Sequence, residues 1–375
     1  MGTIRSTLTW SSLLLLPAAI PQSASKELRL TPEMTIKGRE SDTTLPDRIL
    51  GIEVGRDRSI YVLSPTQASI LQLDARGVLR RRIGRSGSGP GEFGRPVAMG
   101  WRGDTLWVAD QSLRRVQYFS SDGRLIRTRS GDRWGPLIPL ADGSYLAGRG
   151  MALDAEQAPV IRVTADLKRT DTVAILRWRA LPQLRIPTGS GNFIVGAARF
   201  TDRAERVVAS RGDAIYLIEP DPNPAAGTAA IRVRALEPSG RLRWEKRIPY
   251  QPVALSNRRF EEAVEELASG HDGAGRIDRE AVRKAMARPK FLPTLAQSLV
   301  ATNADLWLRW EQDPEVLPEW TVLDLDGTIK GRFRFPAGVN PLRIDGDRVY
   351  AVITDSDDLP GLVRYRIEGL PGVRP

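Results

Sequence analysis

The chain has no cysteine and a single histidine, His271, in 375 residues. The lack of cysteine excludes a disulfide framework, thiolate metal sites and cysteine nucleophiles. One histidine excludes histidine-rich metal centres and leaves little scope for histidine-based acid–base catalysis. Hydrophobic residues still make up 41% of the chain, so packed cores are expected and a fully disordered chain is excluded.

Long hydrophobic runs are also missing, and the one notable apolar segment lies near the start. Leu8–Ile20 follows Arg5 and is too short to cross a bilayer, and Ser23–Ser25 supplies the small residues that a signal peptidase requires. We predict a signal peptide over residues 1–25 and a mature domain over 26–375 without a membrane span. The alternative is an uncleaved N-terminal anchor. The predicted location is periplasmic or secreted.

The formal net charge is +10, and arginine supplies almost all of the positive charge because lysine occurs at only seven positions. The arginines are scattered along strand-like stretches beside aspartate or glutamate, and they form no dense block. A nucleic-acid-binding surface needs a clustered basic footprint or a recognisable reader module. We therefore predict no nucleic-acid partner.

A unit of four short strands recurs six times. Its most regular strand alternates in polarity, and in five copies it carries an aromatic residue at one register: Tyr61, Trp107, Tyr216, Trp307 and Tyr350. Turns such as Asp122–Gly123 follow, whose glycine tolerates the positive φ of a tight hairpin. Four-stranded antiparallel units repeated radially predict an all-β, six-bladed β-propeller, with the aromatic residues packed between blades.

Two segments depart from the repeat. The last unit stops after its third strand, and the extended segment Leu28–Ile36 has no unit of its own. We predict that this N-terminal strand completes the sixth blade, because closure removes two exposed sheet edges. Residues 257–287 contain helical spacing and good helix formers, so we predict a helical hairpin inserted between the fourth and fifth blades.

The residues also resemble a known group of proteins. The run at 83–99 with the stretch 104–125 is similar to bacterial six-bladed propellers of the NHL-repeat type. The later stretches 291–313 and 320–333 are similar to exported six-bladed propellers that are mostly uncharacterised. The resemblance implies the propeller fold and leaves activity open, since this fold serves scaffolds, receptors, lactonases and lyases.

Several carboxylates lie at the ends of the aromatic strands: Asp110, Glu219, Glu311 and Asp355. These strand ends share one face of the ring with the loops between blades, and oxygen ligands grouped at one mouth could hold a metal ion. The alternative is that each carboxylate caps its own turn through hydrogen bonds to the backbone. We favour capping, because aspartate is common in turns for that reason.

Our leading hypothesis is a non-catalytic binding module that recognises a peptide, glycan or partner protein without a cofactor. The predicted binding face carries Arg85, Glu92, Asp110, Gln111, Arg114, Arg149, Glu219, Glu311 and Asp355. The alternative is a calcium-assisted hydrolase or lyase of small esters or lactones, resembling a gluconolactonase, whose metal ligands are Asp110, Glu219 and Asp355.

Overall fold

Six four-stranded antiparallel sheets form the blades of a β-propeller in the computed structural model, as the repeat predicts. Around the ring axis the first strand of the first blade contacts those of the second and sixth, and the first strand of the fifth contacts those of the fourth and sixth; the fourth strands lie outermost. The structure describes residues 25–37, 45–148, 155–179, 183–187, 193–197, 199–225, 227–269, 277–313, 315–354 and 360–368. The predicted signal peptide lies outside the described residues, apart from Ser25.

The N-terminal half of the chain forms two leading strands and the first three blades. The leading strands are β1 (Lys26–Glu27) and β2 (Arg29–Ile36). The first blade comprises β3 (Gly51–Val54), β4 (Ile60–Ser64), β5 (Ser69–Leu73) and β6 (Leu79–Ile83). The second comprises β7 (Pro96–Arg102), β8 (Thr105–Asp110), β9 (Arg115–Phe119) and β10 (Leu125–Ser130). After a 3-10 turn at Asp132–Trp134, the third comprises β11 (Leu137–Pro139), β12 (Tyr145–Ala147), β13 (Gln157–Val163) and β14 (Thr170–Arg177).

The C-terminal half forms a separate hairpin, three more blades and two helices. The hairpin consists of β15 (Gln183–Pro187) and β16 (Phe193–Ala197). The fourth blade comprises β17 (Glu205–Val208), β18 (Ile215–Glu219), β19 (Ala230–Leu236) and β20 (Leu242–Pro249). The helices are α1 (Asn257–Ala268) and α2 (Arg279–Ala285). The fifth blade comprises β21 (Leu295–Val300), β22 (Leu306–Trp310), β23 (Glu319–Leu323) and β24 (Ile329–Arg334). The sixth contains β25 (Asn340–Asp345), β26 (Arg348–Thr354) and β27 (Pro360–Glu368).

The N-terminal strand closes the ring, which confirms the prediction. β2 pairs antiparallel with β27 over the register from Arg29 opposite Glu368 to Ile36 opposite Leu362. Ahead of it, β1 adds a parallel fifth strand to the fifth blade, which the sequence did not predict. Since β2 belongs to the sheet of the sixth blade and is followed along the chain by the first blade, its hydrogen bonds to β27 within that sheet close the ring.

The five aromatic residues that share a register are all at least 97% buried between blades, as predicted. Two of them also fix the spacing of neighbouring blades. The Tyr61 hydroxyl donates to the carbonyl oxygen of Ser121 in the second blade at 3.0 Å, and the Tyr216 hydroxyl donates to that of Ala304 in the fifth blade at 2.6 Å. A buried tyrosine hydroxyl needs such a partner, which explains why these positions suit tyrosine.

The third blade has the shortest inner strand, with three residues. The turn between β17 and β18 extends past it to the second blade, where the Ser210 carbonyl oxygen accepts hydrogen bonds from the Trp101 amide at 3.2 Å and the Trp107 indole at 3.3 Å. Gly100 permits this approach, because a Cβ there would lie 2.4 Å from the same oxygen. The second and fourth blades are thus joined directly across the third.

The predicted helical insertion is confirmed. Ser256 caps α1 by accepting from the Arg259 amide, and Asp278 caps α2 by accepting from the Ala281 amide. The helices pack on the β15–β16 hairpin, and residues from both insertions form a core of their own: Leu184, Ile186, Leu255, Phe260, Ala263, Val264, Ala268, Val282, Met286 and Leu292. This accessory layer covers part of one face of the ring. None of the described helices is long and apolar enough to span a membrane.

Candidate functional site

The two faces of the ring carry different connections. We call the face that holds the inter-blade loops and the helical insertion the loop face, and the face that holds the turns between first and second strands the turn face. The predicted binding residues that the structure describes belong to the loop face. Their positions there decide how many of them are available to a ligand.

Asp110 ends β8 and is fully buried. Its carboxylate accepts three backbone hydrogen bonds, from the Gly94 amide at 2.7 Å, the Arg95 amide at 3.1 Å and the Leu113 amide at 2.9 Å. Aspartate satisfies loop amides in this way because its short side chain reaches the adjacent backbone. Asp110 therefore holds the inter-blade loop against the loop that follows β8.

Glu219 ends β18 in the fourth blade and is also buried. It accepts from the Arg177 amide of the third blade at 2.7 Å, and it forms ion pairs with Arg232 at 2.6 Å and Arg234 at 3.2 Å. Two guanidiniums and an amide compensate the cost of burying this carboxylate. Glu219 joins the outer edge of one blade to the middle of the next.

Arg85 and Glu92 form an ion pair at 2.9 Å within the first inter-blade loop. Glu92 also accepts from the Gly89 amide at 2.8 Å, and this bond together with Arg85 holds the pKa of Glu92 below its usual value. The Arg85 side chain remains 81% exposed, whereas the Glu92 side chain is 21% exposed. Arg85 is therefore available to a ligand, but Glu92 is engaged in stabilising the loop.

The remaining predicted residues fall into three groups. Glu311 pairs with Arg259 of α1 at 2.9 Å and so ties the insertion to the fifth blade. Gln111 and Arg114 are exposed on the loop that follows β8. Arg149 and Asp355 lie outside the described residues.

The described carboxylates of the predicted face are thus distributed over separate loops, each with its own partners. Nowhere in the described ranges do three histidine, aspartate or glutamate side chains group closely enough to hold a metal ion. Asp355, the third ligand of the calcium-dependent alternative, falls outside those ranges, so that alternative stays a prediction.

A cleft of about 680 Å³ opens on the loop face between the fourth blade and the helical insertion. We call it the insertion cleft. Its walls are the loop after β18, the segment before β17 and the segment that leads from α2 to β21; they comprise Arg179, Phe200, Thr201, Asp202, Pro220–Pro224 and Ala287–Leu292. A volume of this size, with apolar walls and a few polar groups, is typical of ligand sites.

Proline and aromatic residues shape the insertion cleft. Pro220, Pro222 and Pro224 stiffen one wall, and Phe200 and Phe291 line it from the other elements. The base of the insertion is closed by backbone hydrogen bonds between residues 253–255 and 290–292. Both the proline-containing wall and the base of the insertion are therefore held in place.

Charges of both signs border the insertion cleft. Arg179, Arg288 and Lys290 are exposed at its rim. Asp202 lies deeper, where burial raises its pKa although the amide and hydroxyl of Thr294 donate to it at 2.5 and 3.0 Å. Burial likewise raises the pKa of neighbouring Glu205, which accepts from the Ser298 hydroxyl. The exposed rim is basic, whereas Asp221, which also lines the cleft, is half-buried and accepts from the Asn223 amide at 2.9 Å.

Sequence reasoning did not identify the insertion cleft. Its signal was present in two proline-rich stretches, Glu219–Pro224 after β18 and Ala287–Pro293 directly after the inserted helices. Only the fold shows that these stretches face each other.

Several solved structures are similar to this chain. A provisionally assigned exported protein of Bacteroides fragilis matches with 12% identity and a TM-score of 0.48, over 91% of this chain and 96% of that one. A DUF4221 family member from Bacteroides vulgatus matches with 10% identity and a TM-score of 0.47, over 92% and 100%. A gluconolactonase of Xanthomonas campestris matches with 14% identity and a TM-score of 0.41, over 93% and 99%. They share a fold. No protein-family model and no curated protein matches the chain.

Proposed function

We propose that this chain is an exported, non-catalytic binding module that recognises a peptide segment of a partner protein in the insertion cleft. The observation that carries the proposal is the construction of the cleft. It lies between the loop after β18 and the segments that flank two insertions with their own hydrophobic core, which the closure of the ring does not require. The proposed export rests on the signal peptide predicted over residues 1–25.

The walls of the insertion cleft favour a peptide with apolar and acidic side chains. Phe200 and Phe291 offer apolar surface that a buried side chain of the partner would cover. Arg179 and Lys290 are available at the rim to pair with carboxylates, and Lys290 already lies over the Phe291 ring at 5.2 Å. Because proline holds its loop in one conformation, little ordering of the site is needed on binding.

The polar groups in the insertion cleft support binding more than catalysis. Asp202 is held by two hydrogen bonds from Thr294, and neighbouring Glu205 is held by Ser298. A general base must reach the proton that it abstracts, and these carboxylates are oriented toward the protein. Recognition by surface complementarity requires no such free group.

The proposal is tested by selecting peptides from a random displayed library against the folded mature domain. Affinities of the selected peptides are then measured on the wild type and on a cleft variant, Lys290→Ala with Phe291→Ala. We expect the cleft variant to bind at least tenfold more weakly, since it loses one apolar contact and one charge at the site.

The matched control is Ile126→Ala with Arg129→Ala on the outer strand β10, where both side chains are exposed. This control should retain wild-type affinity. Selected peptides that bind both variants equally well, or a library that yields no binder, would contradict the proposal. If the protein binds glycans on an array and selects no peptide, the ligand would be a glycan and the peptide proposal would be wrong.

A further inference from the structure

A second cavity, of about 480 Å³, lies at the ring axis on the opposite, turn face. Turns of five blades form its wall, and we call it the turn-face cavity. It is lined by Val54–Asp57, Tyr61, Trp101–Asp104, Ser121, Ala141, Ser210, Arg211, Thr302 and Arg343. It shares no residue with the insertion cleft, so binding in the turn-face cavity is independent of the function proposed for that cleft.

The floor of the turn-face cavity is a buried ion pair between the first and last blades. Arg343 Nη2 lies 3.2 Å from Glu53 Oε2, and both side chains are about 93% buried or more. The same nitrogen donates to the Ser210 hydroxyl at 2.8 Å and to the Thr302 hydroxyl at 3.0 Å. Four blades thus contribute one group each to a site built around a guanidinium.

The balance of charge in the turn-face cavity is positive. Four arginines line it, and Arg56 at the rim pairs with Asp104 at 2.8 Å. Arg102 and Arg211 form no ion pair with any described residue. Arg211 lies close enough to Glu53 for its charge to lower the pKa of that carboxyl. Two guanidiniums are therefore available to an anion above the paired floor.

The side wall of the turn-face cavity is aromatic. Tyr61 and Trp101 meet edge to face with their ring centroids 5.0 Å apart. The Trp101 indole nitrogen is buried and has no hydrogen-bond partner among the described residues.

We propose that the turn-face cavity binds a small organic carboxylate, held by Arg102 and Arg211 above Arg343, and that its affinity rises when Glu53 takes up a proton. A carboxylate is the anion that the site already accommodates, because Glu53 occupies one side of Arg343. Protonation of Glu53 leaves the positive charge of Arg343 without a compensating negative charge, and a bound carboxylate then supplies that negative charge.

The environment of Glu53 places this proton uptake near neutral pH. Burial, with a smaller contribution from Asp345, raises the pKa of Glu53 to about 7, although Arg343, a hydrogen bond from Ser210 and the charge of Arg211 act in the opposite direction. An organic carboxylate keeps its charge from pH 8 to pH 6, whereas phosphate loses part of its charge over the same interval. The linkage therefore favours a carboxylate over a phosphate.

The test uses benzoate and glucuronate as probes, with benzamide as the uncharged match for benzoate, and ligand-observed NMR at pH 6 and pH 8. If the carboxylate binds only when Glu53 is protonated, a pKa of about 7 makes the affinity about tenfold higher at pH 6 than at pH 8. Binding of benzoate alone would point to an aromatic acid, and binding of glucuronate alone to an acidic sugar.

Two variants separate the proposal from nonspecific attraction of anions. Glu53→Gln should bind the probe at pH 8 as tightly as the wild type does at pH 6, with no dependence on pH. Arg211→Gln, at an exposed position, should weaken binding at least tenfold. Glu92→Gln on the loop face is the matched control and should behave as wild type. The proposal is overturned if neither acid binds better than benzamide at pH 6, or if affinity is equal at the two pH values.

Discussion

Replacing Glu53 by glutamine should make the stability of this propeller less dependent on pH. The Glu53 carboxyl is buried at the ring axis with a pKa of about 7, against an ordinary value of 4.5. Because the folded state holds the proton more tightly than the unfolded state, this group lowers stability as pH rises from about 4.5 through 7. Below that interval the carboxyl is neutral in both states and contributes no such loss.

The magnitude follows from the two pKa values of Glu53. They differ by about 2.5, and each unit corresponds to about 1.4 kcal/mol, so the wild type should lose about 3 kcal/mol relative to Glu53→Gln between pH 4 and pH 8. The glutamine side chain has a similar shape, and Arg343 Nη2 keeps its hydrogen bonds to the hydroxyls of Ser210 and Thr302. The comparison therefore removes the titration while keeping a hydrogen-bond partner for the guanidinium.

The assay is urea unfolding of the mature domain at pH 4, 5, 6, 7 and 8, followed by tryptophan fluorescence. Glu92→Gln serves as control, since the pKa of Glu92 lies below its usual value of 4.5, and its contribution to stability therefore changes with pH mainly below about 4.5. Its free-energy difference from wild type should be constant from pH 5 to pH 8. If the difference between wild type and Glu53→Gln is equally constant, the reasoning about the buried pair is refuted.

Three further outcomes are expected. Asp110→Ala leaves three loop amides without an acceptor and should lower the free energy of urea unfolding by about 3 kcal/mol. Its control, Asp104→Ala at an exposed ion pair, should lower it by about 0.5 kcal/mol or less, and equal losses would argue against a capping role for Asp110. Gly100→Ala places a Cβ 2.4 Å from the Ser210 carbonyl oxygen and should lower the free energy of unfolding by about 3 kcal/mol. An unchanged melting temperature would contradict the contact between the second and fourth blades. Burial raises the pKa of Glu33, but hydrogen bonds from arginines of the last blade bring it below its usual value. Glu33→Gln should therefore destabilise the folded protein at pH 7. The difference in unfolding free energy between Glu33→Gln and wild type should shrink as pH falls below about 4.5.

The fold was predictable from the sequence because the propeller repeats a local pattern. Tyr61 and its counterparts recur at one register of an alternating strand, and that register alone places them between blades. Closure by the N-terminal strand was predictable for a similar reason, since the last unit lacked a strand and Leu28–Ile36 supplied one. The inserted helices were visible through their spacing. Each of these inferences needs only neighbours along the chain or a count of strands.

The roles of the carboxylates depended on contacts between distant parts of the chain. An aspartate at the end of a strand can cap a loop or bind a metal, and Asp110 is assigned to capping only by the amides of Gly94 and Arg95 on the preceding loop. Glu219 is engaged by an amide of the third blade. A residue type and its position in a repeat do not specify which of these partners the folded chain brings close.

The two cavities were decided by tertiary structure alone. Glu53 and Arg343 come from the first and last blades and meet only because the ring closes. The insertion cleft exists because two insertions pack on each other and bring Phe200 and Phe291 together. The sequence by itself determined a closed ring with a helical insertion, since periodicity encodes strands and their order. Which side chains converge across that ring depends on loop conformations and on the uneven lengths of the inner strands, and these carry no periodic signal.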